Sequence, residues 1–331
     1  MLQSTVEALA ADERAKRHTI LADQLTRALA APSPSRVFSG GGGSGARDGG
    51  LEFLSERVPQ LSLASLHLRA VVRSSLMDLV EEQIRADLLR SHGLEPRHRL
   101  LLAGPPGNGK TSVAEGIAEA LALPLYSVRY DTLIGSFLGE TNQRLKRMFE
   151  YIRSRPAVVF FDEFDVVGKE RGDPHETGEI KRVVSTLLLQ IDSLPSYNVV
   201  IAATNHSELL DRAVWRRFEL RVELPSPSTS ELADYFERAF SRMPMPLDRR
   251  RASRLAASLG NLSFAEAQDF VLDVRRKLIL GLGEMPLEKV LDEKIRAWLT
   301  RGKRPSDGNR SKQTASAVAK RRRSPANRKR K

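Results

Sequence analysis

Twelve residues, Leu100 to Thr111 (LLLAGPPGNGKT), constrain this chain more than any others. They carry the spacing GxxxxGK[ST] between an apolar run, Leu100 to Ala103, and a helical pattern, Ser112 to Leu121. An apolar run of that length reads as a strand buried on both faces, so the stretch predicts strand, tight loop and helix in succession. Glycine at 104, 107 and 109 lets the backbone bend around an anion and turn amide N–H groups at the helix N-terminus toward it. Lys110 adds a positive charge, and Thr111 a hydroxyl able to ligate Mg²⁺. The phosphate-binding set is Gly104, Pro105, Pro106, Gly107, Asn108, Gly109, Lys110, Thr111 and Ser112. A glycine turn that only joined strand to helix would not need the Lys-Thr pair.

A second landmark is Ala157 to Asp165, AVVFFDEFD. Its apolar start fits a buried strand that delivers Asp162 and Glu163 to its C-terminal end, the edge where open parallel sheets bind ligands. There Asp162 can hold Mg²⁺ through water and Glu163 can polarise an attacking water. Asn198 to Asn205, NVVIAATN, repeats the design, and an amide at Asn205 could orient that water. Leu210 to Phe218, LDRAVWRRF, sets Arg216 beside Arg217 just before a last strand, Glu219 to Glu223. Adjacent arginines usually form a solvated face; they gain a catalytic meaning only if another subunit's nucleotide lies opposite.

Together these residues resemble the AAA+ ATPases, and within them the AAA clade of substrate-threading and remodelling enzymes, over about Val58 to Leu299. GPPGNGKT resembles the Walker A motif, FFDEFD the Walker B motif and AATN the first sensor, Asn205. LDRAVWRRF resembles the segment that carries two arginine fingers, here without the Pro-Gly pair that usually separates them. The resemblance implies ATP and Mg²⁺ as cofactors, the metal held by Thr111 and Asp162, water activated by Glu163 and positioned by Asn205, and Arg216 and Arg217 reaching a neighbour's nucleotide. It also implies a homo-oligomeric ring, a hexamer. Phe137, Leu138 and Gly139 occupy the place of the family's substrate-gripping pore loop, which implies a protein substrate and makes a separate protease a candidate partner. Past Pro225 and Pro227 four helical patterns, Thr229 to Ser241, Leu247 to Leu259, Ser263 to Leu280 and Pro286 to Leu299, match the family's small lid. Gly260 to Glu266 resembles the entry to the third lid helix, with Phe264 where the family has a small residue.

The expected fold is therefore α/β: a five-stranded parallel P-loop sheet flanked by helices, followed by a small four-helix lid. The expected organisation is an N-terminal helix over 1–30, a flexible Gly-rich linker over 31–57, a nucleotide-binding domain over 58–225, the lid over 226–300 and a basic disordered tail over 301–331. Charge supports the last boundary. Arg301 to Lys331 hold 13 of the chain's 53 Lys and Arg but one of its 41 Asp and Glu, so the net charge of +12 belongs to the tail and the body is neutral. Such a tail gives a rival reading, a nucleic-acid-associated ATPase that grips phosphates through it. With no cysteine there is no disulfide or thiolate site. His175-Glu176 is followed by Glu179 where a zinc protease would need its second His. No apolar run is long enough for a membrane span, and the expected location is cytoplasmic.

Overall fold

The computed structural model describes residues 50–134, 138–165, 177–241, 243, 246–281 and 285–301. The helix expected over 1–30, most of the linker, Phe137 and the tail beyond Arg301 lie outside the described residues.

Six strands form one sheet: β1 (Leu54–Arg57), β2 (Arg99–Ala103), β3 (Leu125–Val128), β4 (Ala157–Phe161), β5 (Asn198–Thr204) and β6 (Leu220–Glu223). Their order is β1-β3-β4-β5-β2-β6. The five expected strands pair in parallel, and β1 adds a sixth, antiparallel to β3, with Leu54 opposite Val128 and Arg57 opposite Leu125. Leu51–Arg57 is thus a short 3₁₀ turn and an edge strand rather than the end of a linker. Phe53 and Leu54 are buried there. So short a strand shows almost no alternation, and only its pairing with β3 reveals it.

Every residue of β4 and β5 is buried, because helices cover both faces of the sheet. Alternate side chains feed separate cores. Leu101, Val159, Phe161, Val200 and Ala202 pack with α5 (Leu138–Arg153), α6 (Thr177–Asp192) and α7 (Arg212–Trp215). Leu100, Leu102, Val158, Phe160, Val199 and Ile201 pack with α1 (Ala70–Ile84) and α3 (Lys110–Ala120). Two short helices complete this part, α2 (Ala86–Ser91) and α4 (Tyr130–Leu133). Helix α5 starts at Leu138, earlier than its polar N-terminal sequence suggests, so Leu138 and Gly139 of the expected pore loop belong to its first turn.

The four expected C-terminal helices are α8 (Thr229–Phe240), α9 (Arg249–Leu259), α10 (Phe264–Leu280) and α11 (Leu287–Arg301). Ser228 with Glu231 and Ser263 with Glu266 form capping boxes on α8 and α10, and Asp248 caps α9; each satisfies amides the helix cannot. These helices share a third core, which includes Phe236, Phe240, Phe270, Val274 and Val290.

Candidate active site

The phosphate loop departs from β2 between its neighbours β5 and β6. Gly104 donates to the Thr204 carbonyl at 3.2 Å, and Leu224 N–H to the Ala103 carbonyl at 2.8 Å. At Gly104, φ is +143° and a Cβ would meet the Leu224 carbonyl oxygen at 2.2 Å, so only glycine passes. Gly109, with φ +87°, stands at the N-cap of α3, and no side chain caps the helix. Its first amides are therefore open to an anion, unlike those of the capped helices α8 to α10. Lys110 is buried, and its Nζ donates to the Gly104 carbonyl at 2.7 Å and the Pro105 carbonyl at 3.0 Å. Burial lowers its pKa, and the charges of Asp162 and Asp165 oppose that shift. The cation is held ready across the loop and can exchange two carbonyls for phosphate oxygens. Asn108 is buried, and both its side-chain polar atoms are unpaired among the described residues.

β4 and β5 end at the same edge. Asp162 and Glu163 are exposed just beyond Phe161, and Glu163 N–H donates to Asp162 Oδ1 at 2.9 Å. Glu163 has φ +48°, outside the range a glutamate prefers, with the turn fixed by Phe164 N–H on the Ala203 carbonyl at 2.8 Å; strained backbone of this kind gathers at functional sites. Asp165 accepts from Thr204 Oγ1 at 2.8 Å, which joins the acidic turn to the end of β5. Asn205 follows, its Oδ1 buried and unpaired among the described residues. Loop, acid pair and amide thus meet on one edge, across neighbouring strands β4, β5 and β2.

Helix α10 reaches this edge. Ala265 N–H donates to the Gly107 carbonyl at 2.9 Å. Phe264 turns instead toward an aromatic group: His67 lies 5.1 Å from Tyr235 and 5.9 Å from Phe264, ring to ring. Burial lowers the His67 pKa, helped by Arg238 and Arg73, and its Nε2 is unpaired. Arg69 joins the same segment to α8 through Glu231 at 2.8 Å.

Arg216 and Arg217 are not at this edge. With Arg99 and Asp192 they line a hollow of about 460 Å³. Arg99 is the first residue of β2, so the hollow opens at the sheet's opposite end. Arg217 is bound to Asp192, which also holds Arg99 at 3.1 Å. Arg216 is exposed and has no side-chain partner among the described residues. Phe137 lies outside the described residues. Sequence reasoning gave no role to Asp165, although it ends the FFDEFD stretch, and missed Asp192, His67 and Tyr130, none of which belongs to a recognisable spacing.

The donors at the edge suit Mg²⁺, a hydroxyl at Thr111 and carboxylates at Asp162 and Glu163, all oxygen. Among the described residues no cluster of three or more His, Cys, Asp or Glu could enclose a metal.

A glycine loop on a helix N-terminus, an acid pair on the next strand but one and a helical lid touching the loop define a P-loop nucleotide-binding protein. Residues 100–226 match the family described as "ATPase family associated with various cellular activities (AAA)". Over 282 residues the chain is 35% identical to the AAA family ATPase y4kL of Sinorhizobium fredii, covering 84% of each. The chain belongs to the AAA family of ATPases. It is also 33% identical, over 193 residues, to the peroxisomal ATPase PEX6 of Kluyveromyces lactis; the match takes in 56% of this chain and 19% of that longer protein. The crystal structure of the FIGL-1 AAA domain superposes with a TM-score of 0.58 at 20% identity, covering 82% of this chain and 92% of that one. Among the described residues no helix is long and apolar enough to cross a membrane.

Proposed function

We propose that the chain hydrolyses ATP as a subunit of a ring, most simply a homohexamer, and uses the energy to remodel protein substrates. The loop amides and Lys110 bind the β and γ phosphates. Thr111 and Asp162 would hold Mg²⁺, which neutralises phosphate charge when bound. Glu163 takes a proton from water that Asn205 orients. Arg216 acts on the neighbour's γ phosphate, and Arg217 braces it from the Asp192 side.

One observation carries the shared site: the arginines and the phosphate loop occupy opposite ends of β2. Arg99 to Ala103 spans about 13 Å at a rise of roughly 3.3 Å per residue, and the loop lies beyond. An arginine at Arg99's end therefore serves a site other than its own. The aromatic group of His67, Tyr235 and Phe264, one residue from the loop contact at Ala265, suits a stacked purine. Protein remodelling is supported by the likeness to PEX6 over 56% of the chain and by the Phe137-Leu138-Gly139 sequence, whose last two residues open α5.

Because an arginine finger is worth about a thousandfold or more in rate, turnover per subunit is expected to rise steeply with protein concentration as rings assemble. A specific activity flat from nanomolar to micromolar, with sedimentation showing monomer throughout, would refute the shared site.

A further inference from the structure

Tyr130 is the first residue of α4 and leaves β3 at the edge that carries the acid pair. The β3–β4 register sets Leu125 opposite Val158 and Ser127 opposite Phe160. Tyr130 and Glu163 each come three residues after that last pair, at the same end of their strands. Its ring packs on the core that contains Phe161 and Phe164, which flank the acid pair. Its hydroxyl is buried and has no hydrogen-bond partner among the described residues. Burial raises the phenol's pKa, and the charges of Asp162, Asp165 and Glu163 raise it further, so the group is a neutral O–H donor in a field of carboxylates.

An unpaired buried hydroxyl is costly and calls for an explanation. The backbone around Tyr130 is fixed. Arg129 N–H donates to the Phe53 carbonyl at 2.9 Å, Ile134 N–H to the Tyr130 carbonyl at 3.0 Å, and Arg144 to the Thr132 carbonyl at 2.6 Å. Glu163 is exposed and strained at φ +48°. Of the two groups the carboxylate is the one free to move.

We propose that Tyr130 is a positioning residue for Glu163: with nucleotide bound, its hydroxyl donates a hydrogen bond to the Glu163 carboxylate and fixes the orientation in which that carboxylate takes the proton from water. This rests on Glu163 acting as the base. It also gives the ordered turn Leu51–Phe53 a role, since that turn holds the β3–α4 junction from which Tyr130 projects.

The test is Tyr130→Phe, which keeps the ring and deletes the donor. A hydrogen bond to a charged group predicts a kcat lower by about tenfold or more. KM is expected to stay within about twofold, because the bond acts on the base and not on nucleotide binding. The unfolding midpoint without nucleotide should stay the same or rise, since an orphan hydroxyl has been removed. Incorporating 3-fluorotyrosine at position 130 keeps ring and donor and is expected to restore kcat to within about threefold. A kcat for Tyr130→Phe within about twofold of the parent overturns the proposal. So does a fall in kcat with a lower midpoint and no restoration by 3-fluorotyrosine, which would leave Tyr130 a packing residue. Full turnover in Glu163→Gln overturns both this inference and the assignment beneath it; loss in Glu163→Gln with none in Tyr130→Phe overturns this inference alone.

Discussion

Two inactive variants should restore each other's activity, and the geometry says by how much. Arg216→Ala removes a guanidinium that has no side-chain partner among the described residues, at the Arg99 end of β2; Glu163→Gln removes the carboxylate at the far end. Since the two ends are separated by about 13 Å of strand and then by the loop, one subunit's arginine cannot serve its own acid pair. Each variant alone is expected to lose about a thousandfold in turnover. In an equimolar mixture an interface works when an Arg216→Ala subunit supplies the site and a Glu163→Gln subunit supplies the arginine. Head-to-tail contacts in a ring and random exchange make about a quarter of interfaces competent. Phosphate release after subunit exchange should therefore climb from about a thousandth of the parental rate toward about a quarter of it. A mixture that merely averages its two components refutes the reasoning, as does Arg216→Ala with parental turnover. Arg217→Ala is the control. Its guanidinium is already taken by Asp192, so it should retain more turnover than Arg216→Ala.

Gly107 has φ +77°, and a Cβ there would stand 2.8 Å from Ser263 Oγ and 3.2 Å from Ala265 Cβ. Gly107→Ala is expected to cost about 1–3 kcal/mol in thermal unfolding and to weaken ATP binding by parting loop from lid; parental affinity would show that the contact is irrelevant to nucleotide. Arg69 holds the Glu231 carboxyl down from its ordinary 4.5 to about 2. A depressed folded pKa gives stability that is complete above about 4.5 and lost as pH falls toward 2. Both side chains are partly exposed, 51% and 31%, so solvent screens most of the effect and Glu231→Gln, which keeps the capping box, should lower the midpoint by a few degrees at most at neutral pH. The difference from the parent should close as pH falls from 4.5 to 2; a gap independent of pH would assign it to the cap.

The parts of the fold legible in the sequence are those where one local rule decides the outcome. β4 and β5 are read from unbroken apolar runs because both faces are covered, and the loop is read from glycines whose positive φ values no other residue takes cheaply. Three of the four C-terminal helices carry their own caps, at Ser228, Asp248 and Ser263. β1 obeys no such rule. LSER has no alternation, and the strand exists because β3 has a free edge and Phe53 finds the core beneath it. The start of α5 was obscured for a related reason. Leu138-Gly139-Glu140 lacks helical periodicity, but Glu140 pairs with Arg144 one turn on, which supports a first turn that propensity alone would not predict.

The candidate site divides along the same line, and the division says which residues deserve mutation first. Lys110, Asp162, Glu163 and Asn205 were legible because each occupies a fixed offset from a strand end, so sequence position and spatial position coincide. Arg216 and Arg217 were legible as a pair but not as individuals. Only the ion pair of Arg217 with Asp192, 25 residues away in sequence, separates the held arginine from the free one. Tyr130 was not legible at all. Nothing distinguishes a tyrosine after a strand from any other aromatic until its ring is found in the core and its hydroxyl without a partner. The residues that sequence hides are therefore those defined by a contact they make, or lack, across the fold. Arg216 and Tyr130 belong to that class because each is a buried-core or strand-end neighbour left with an unused donor. A donor left unused in the free chain can be used by ATP, by water or by a second subunit, and that is the reason both variants are expected to act on turnover more than on stability.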